Sequence, residues 1–227
     1  VSAQVAKGNK RMAYQVFKGA MLFAVISGTL FALLVYFGAG FFAETYLKTP
    51  NCIFALKVLA PALLIVAVLG VLRGFFQGLG TMMPSAISQI VEQIVNAIVS
   101  VWAAYMLFGY GKRIGGVLGD PEHYAAAYGA AGGTLGTNLG SVFGLLFMIF
   151  VFIVYMTVFK RQIRRERIRA MEPFIETLRM LVITIIPVLL SSTIYNISSF
   201  IDNGIYKHIA YAQGYVSDDI DVWWGVY

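Results

Sequence analysis

Five stretches of this chain are about 20 residues long or longer and almost wholly apolar, and they decide its fold class. A helix needs about 20 such residues to cross a hydrocarbon core of about 30 Å. In lipid a helix also satisfies its own backbone hydrogen bonds, which an open strand cannot do. The runs are residues 20–43 (span A), 56–76 (span B), 87–108 (span C), 128–159 (span D, long enough to tilt or protrude) and 178–201 (span E). A soluble core does not account for them. Charged residues are 12% of the chain, against about 25% in an ordinary soluble domain. The expected fold is all-α, a polytopic transmembrane helix bundle of about five spans.

Orientation follows from where Lys and Arg fall between spans. One side holds Lys7, Lys10, Arg11, Lys18, Arg73, Arg179 and the basic run from Lys160 to Arg169. These are 12 of the 17 basic residues, against three acids on that side. The other side is slightly acidic. The basic side is therefore expected to be cytoplasmic, with the Val1 end inside and the Tyr227 end outside a bacterial cytoplasmic membrane. The run "KRQIRRERIR" reads as topology plus attraction to anionic membrane lipids rather than nucleic-acid binding. The chain opens at Val1 without an initiator Met or a signal-peptide pattern, and is expected to be a piece of a longer polypeptide. Its single cysteine, Cys52, permits no internal disulfide and reads as a small bland residue.

Glycines recur every four residues in span D, at Gly132, Gly136, Gly140 and Gly144, and in span B at Gly70, Gly74 and Gly78. That spacing puts them on one helix face, where another backbone can approach closely. Tight packing and a sliding surface both fit. Pro61 and Pro187 lie inside spans B and E, as static kinks or as bends of the kind transporters use at ligand sites.

Span C carries the stretch "SQIVEQIVNAIVS". At 100° per residue, Ser85, Ser88, Gln89, Glu92, Gln93, Asn96 and Ser100 fall within about 140°. A charge inside a bilayer costs at least about 2.5–3.5 kcal/mol and normally faces a bundle interior or a watery cavity. Two readings follow. Either Glu92 is a clamp to another helix, with Arg73 as a candidate partner, or the stripe lines a cavity; its length favours the cavity. Span E has a second stripe, Ser191, Tyr195, Ser198 and Asp202, with Asn196 and Ser199 nearby. Asp202 is either a solvated interfacial carboxylate or a ligand for a cation or proton. No catalytic constellation, metal-ligand spacing or phosphate-cradling loop emerges, so neither an enzyme nor a cofactor is expected.

"VSAQVAKGNKRMAYQVF", "LRGFFQGLGTMMPSAISQIVEQIVN" and "SSTIYNISSFIDNGIY" resemble, in this order, the polysaccharide-biosynthesis transporters. The branch is that of stage V sporulation protein B and the lipid II flippases, related to the multidrug and toxin extruders. The resemblance implies a two-lobe transporter working by alternating access. Residues 1–159 would be part of the first lobe, with spans A–D as its helices three to six. Residues 160–175 would be a cytoplasmic inter-lobe linker. Residues 176–227 would hold helix seven and an outer loop. The remaining helices of the full-length chain would complete the cavity. The cargo implied is a lipid-linked sugar, whose pyrophosphate asks for Lys or Arg. Arg73 would contact that headgroup, with Gln89, Glu92, Gln93 and Asn96 as cavity lining. Asp202 matches an acidic residue of helix seven and would bind a coupling ion, Na+ or H+. Two rivals stand beside this reading: a cation-coupled multidrug extruder, suited by an acidic cavity at Glu92, and a non-transporting membrane scaffold for cell-wall synthesis.

Overall fold

A computed structural model describes residues 1–41, 43, 52–164 and 173–214. The expected loop at 44–51, the linker residues 165–172 and the outer segment 215–227 lie outside the described residues. So does the side chain of Cys52. Six helices are described: α1 (Ser2–Ala6), α2 (Lys10–Gly40), α3 (Cys52–Gly78), α4 (Met83–Leu118), α5 (Pro121–Arg164) and α6 (Phe174–Ala212). No strand occurs among the described residues. The helices α2 to α6 are long and apolar enough to cross a membrane. They correspond to spans A to E.

Local chemistry sets the boundaries. Asn9 caps α2, its side-chain oxygen accepting the Met12 N–H at 2.9 Å. Such a cap satisfies one of the orphan donors at a helix start. α3 and α4 meet at a short turn through Gly80, whose φ of +85° suits a residue without Cβ. There the Thr81 hydroxyl donates to the Phe76 carbonyl at 3.2 Å, and Pro84 opens α4 without forfeiting a needed donor.

The segment "GYGKRIGGVLGDPEH", expected as a loop, is mostly helix. α4 runs on to Leu118, turns at Gly119 with φ +89°, and α5 starts at Pro121. Gly119 makes the turn, whereas Gly111 and Gly115 serve packing. A Cβ on Gly111 would lie 2.5 Å from the Tyr124 carbonyl oxygen, and one on Gly115 2.5 Å from that of Asp120. α5 also extends past the expected end of span D, to Arg164. Its 44 residues span about 66 Å at 1.5 Å each, about twice the hydrocarbon core. The α4–α5 hairpin therefore tilts strongly or projects beyond the membrane.

Successive helices are antiparallel. Lys10 Nζ donates to Gln162 Oε1 at 2.9 Å, which puts the start of α2 beside the end of α5. Gly19 faces Leu178 and Leu181 at the start of α6. Gly78 at the end of α3 meets Val1. The described basic residues just after α1, at the start of α2 and at the end of α5 thus share one end of the bundle.

The buried core lies toward that end. Phe17, Leu69, Leu72, Phe75, Phe76, Met148, Met156 and Phe159 form it. Phe17 and Phe75 rings are 4.6 Å apart, and Phe75 meets Phe159 edge-on at 5.6 Å. Edge and tilted contacts of this kind add to the area the rings bury. Elsewhere large apolar side chains such as Phe37, Tyr105 and Ile26 point outward, as lipid-facing residues do.

The two glycine series behave differently. On α5, Gly132, Gly136 and Gly140 lie against the α4 backbone, where a Cβ would stand 2.5–2.7 Å from backbone atoms of Ala103, Ser100 and Glu92. On α3, Gly70 and Gly74 meet nothing within 4 Å. The close approach expected of span B is therefore seen among the described residues only at Gly78. Pro61 and Pro187 both sit inside continuous helices. Near Pro61, which lacks the N–H that would donate within α3, the Asn138 amide donates to the Val58 carbonyl.

Candidate functional site

The polar stripe of α4 is divided by its neighbours. Ser85, Ser88, Glu92, Asn96 and Ser100 turn toward α3 and α5. Gln89 and Gln93 remain exposed. α5 can approach this face because its glycines present no side chains to it, so short polar groups on α4 reach α5 directly.

Arg73, from α3, is the centre of the inward group. Its Nη2 donates to Glu92 Oε2 at 2.6 Å and to Ser88 Oγ at 2.7 Å, and its Nε reaches Ser88 Oγ at 3.1 Å. Ser141 of α5 donates to the other Glu92 oxygen at 3.1 Å. Ser88 Oγ faces the Gly144 carbonyl at 3.4 Å, and Ser85 Oγ the Arg73 carbonyl at 3.3 Å. Three helices are joined through one ion pair and its hydroxyls. The Arg73 and Glu92 side chains are 16% and 18% exposed, so the pair is neither sealed nor fully solvated. Pairing cancels the charge that would make either residue costly in lipid alone.

Higher on the same seam, Ser100 Oγ lies 2.9 Å from the Gly133 carbonyl and 2.8 Å from Asn96 Oδ1. Of the five α4 and α3 residues singled out from sequence, Arg73 and Glu92 come together, Asn96 lies along the same seam, and Gln89 and Gln93 flank it on the open side. Asp202 stands apart on α6. It is exposed, and Ser198 Oγ is 3.5 Å from its Oδ2. Ser191, Tyr195 and Ser198 are exposed as well. Among the described residues α6 meets α2 near its start, where Gln15 Nε2 donates to Thr177 Oγ1 at 3.0 Å.

Ser141 and Asn138 were not singled out from sequence. Their signal was present in "GTNLGS": short polar residues between glycines can bond across the tight contact the glycines create.

The profile of the family described as polysaccharide biosynthesis protein matches residues 2–119, just over half of the chain. The chain belongs to that family. Among curated relatives, it is 31% identical over 115 residues to a lipid II flippase, MurJ, of Bacillus subtilis. It is 33% identical over 115 residues to stage V sporulation protein B of the same organism. These matches take in 47% and 49% of this chain but 21% and 22% of the relatives, so the chain corresponds to about a fifth of each. No solved structure matches. The matched residues carry the polar stripe, Arg73 and the turn between α3 and α4. The five long apolar helices make the chain a multi-pass membrane protein.

Proposed function

We propose that the chain is part of a flippase-type transporter. It moves a lipid-linked oligosaccharide or peptidoglycan precursor, of the lipid II kind, outward across the cytoplasmic membrane by alternating access. It is not an enzyme, and the basic end is cytoplasmic. The observation that carries this reading is the exposed pair Gln89 and Gln93. Two exposed amides one turn apart on a membrane helix are costly in hydrocarbon and suited to a watery cavity that admits a sugar headgroup. The family membership and the printed names of the two relatives support the cargo class.

In this reading the Arg73–Glu92 pair does double work. With Ser88 and Ser141 it holds α3, α4 and α5 as one rigid body, which rocking of lobes requires. Arg73 is also partly exposed, at 16%, and would meet a pyrophosphate there. Glu92, Gln93, Gln89 and Asn96 line the approach. The exposed α6 face with Ser191, Tyr195, Ser198 and Asp202 closes the far side, and Asp202 is the coupling-ion ligand for Na+ or H+.

The exposed amides also weigh against a scaffold, whose spans need no wet face. The neutralisation of Glu92 by Arg73 weighs against a cation-binding multidrug extruder. The test is complementation of a flippase-deficient strain by the intact polypeptide carrying these residues. Gln89→Leu with Gln93→Leu is expected to keep membrane abundance and lose complementation. Full complementation by that double variant would contradict the cavity reading.

A further inference from the structure

A second polar feature lies outside the α4 stripe. At the basic end, α2, α5 and the start of α6 enclose a cavity of about 610 Å³. Four cations line it: Arg11 and Lys18 from α2, and Lys160 and Arg164 from α5. Among the described residues no acidic side chain lines it. Tyr14, Ile163 and Phe174 give it an apolar wall. Its frame is fixed by polar ties: Lys10 to Gln162 joins α2 to α5, and the buried Gln15 to Thr177 joins α2 to α6. Lys18 is held 4.8 Å from the Tyr14 ring centroid.

The rule that basic residues gather on one membrane side explains their side, not their convergence on one cavity. From Arg11 to Lys18 the cations descend about 10 Å along α2. Basic pockets between membrane helices on the cytoplasmic side have the chemistry to bind anionic headgroups. Arg grips phosphate with a fork of N–H donors, and Lys adds a compact charge on an apolar stem.

We propose that this cavity is a binding site for an anionic glycerophospholipid of the cytoplasmic leaflet. Its phosphodiester sits among Arg11, Lys18, Lys160 and Arg164, and its glycerol and first acyl carbons lie on Tyr14, Ile163 and Phe174. A lipid there joins the end of α5 to the starts of α2 and α6, the place where the chain passes from one group of helices to the next. The proposal rests on the orientation given above and on no transport activity.

The test is native mass spectrometry of the intact polypeptide carrying these residues, delipidated and titrated with phosphatidylglycerol or phosphatidylcholine. Phosphatidylglycerol is expected to bind in preference. At about fivefold per basic side chain, Lys160→Gln with Arg164→Gln lowers its affinity about thirtyfold. Lys112→Gln with Arg113→Gln, an equal charge loss at the opposite end, leaves it unchanged. Lys160→Arg retains binding, which separates charge from fold. Equal losses in both double variants, or none in the first, would overturn the proposal. So would displacement of phosphatidylglycerol by millimolar inorganic phosphate, or by a polyprenyl pyrophosphate at equal concentration. The first displacement makes the site a free-phosphate site, the second a cargo site.

Discussion

Glu92 has both carboxylate oxygens engaged, one by Arg73 and one by Ser141. Removing one partner leaves the other charge in a poorly hydrated place, which costs about 3 kcal/mol for a largely buried pair. Glu92→Gln and Arg73→Gln are each expected to destabilise the helical unit by about that much, read as a lower melting midpoint in detergent. The double variant, with both charges gone, is expected to recover part of the loss. An additive double loss would mean that the two side chains do not act as a pair. The sequence made Glu92 conspicuous and put Arg73 among its candidate partners. It favoured the cavity over the clamp on the stripe's length, but a helical wheel assigns a direction without saying what stands there. Ser141 was harder still. Its place between glycines marks a short polar residue at a tight contact, but the partner it meets is set by the register of α4 against α5.

At the scale of the element, α5 matters most. Its glycines at 132, 136 and 140 bring two backbones together so that α4 hydroxyls and amides can bond to α5. Gly136→Leu is expected to force the α4–α5 hairpin apart. A side chain there meets the Ser100 backbone, and overpacking of a filled seam costs about 1–3 kcal/mol or more. Gly74→Ala, by contrast, adds a methyl where nothing lies within 4 Å, and is expected to leave the melting midpoint within about 2 °C, since shifts of several degrees need about 1 kcal/mol. Melting curves of the two variants side by side check both statements. The four-residue glycine period was legible in both spans, yet only the α5 series has its helix partner among the described residues. The segment between α4 and α5 shows the reverse error. Its glycines look like loop punctuation, yet only Gly119 makes a turn, and Gly111 and Gly115 let two helix ends touch. Composition alone does not separate those uses. Apolar length does fix the number of spans, because nothing else satisfies 20 residues of backbone in lipid.

At the scale of the molecule, α2 to α5 are bound into one body by the phenylalanine core at one end and the Arg73 seam beside it. Among the described residues α6 meets α2 through its first turns, by Thr177 and the leucines over Gly19. Loosening that attachment is expected to change transport more than folding of the first four long helices. Gln15→Leu removes the hydrogen bond to Thr177 and is expected to lower complementation by the intact polypeptide while leaving its membrane abundance near wild type. A parallel fall in abundance would make the contact a folding element instead. The basic end was legible as a charge asymmetry. Its cavity was not, since the contributing cations come from positions 11, 18, 160 and 164, and only the folded chain brings them together.

The central claim is that α4 presents a watery face beside a closed polar clamp. The most direct measurement is the rate at which a membrane-impermeant thiol reagent modifies single cysteines in the cysteine-free intact polypeptide, in native membranes. Gln89→Cys and Gln93→Cys are expected to react readily, and Ser141→Cys, buried at the seam, to react slowly. Protection of positions 89 and 93 equal to that of the lipid-facing control Ile98→Cys, from both sides of the membrane, would contradict the account.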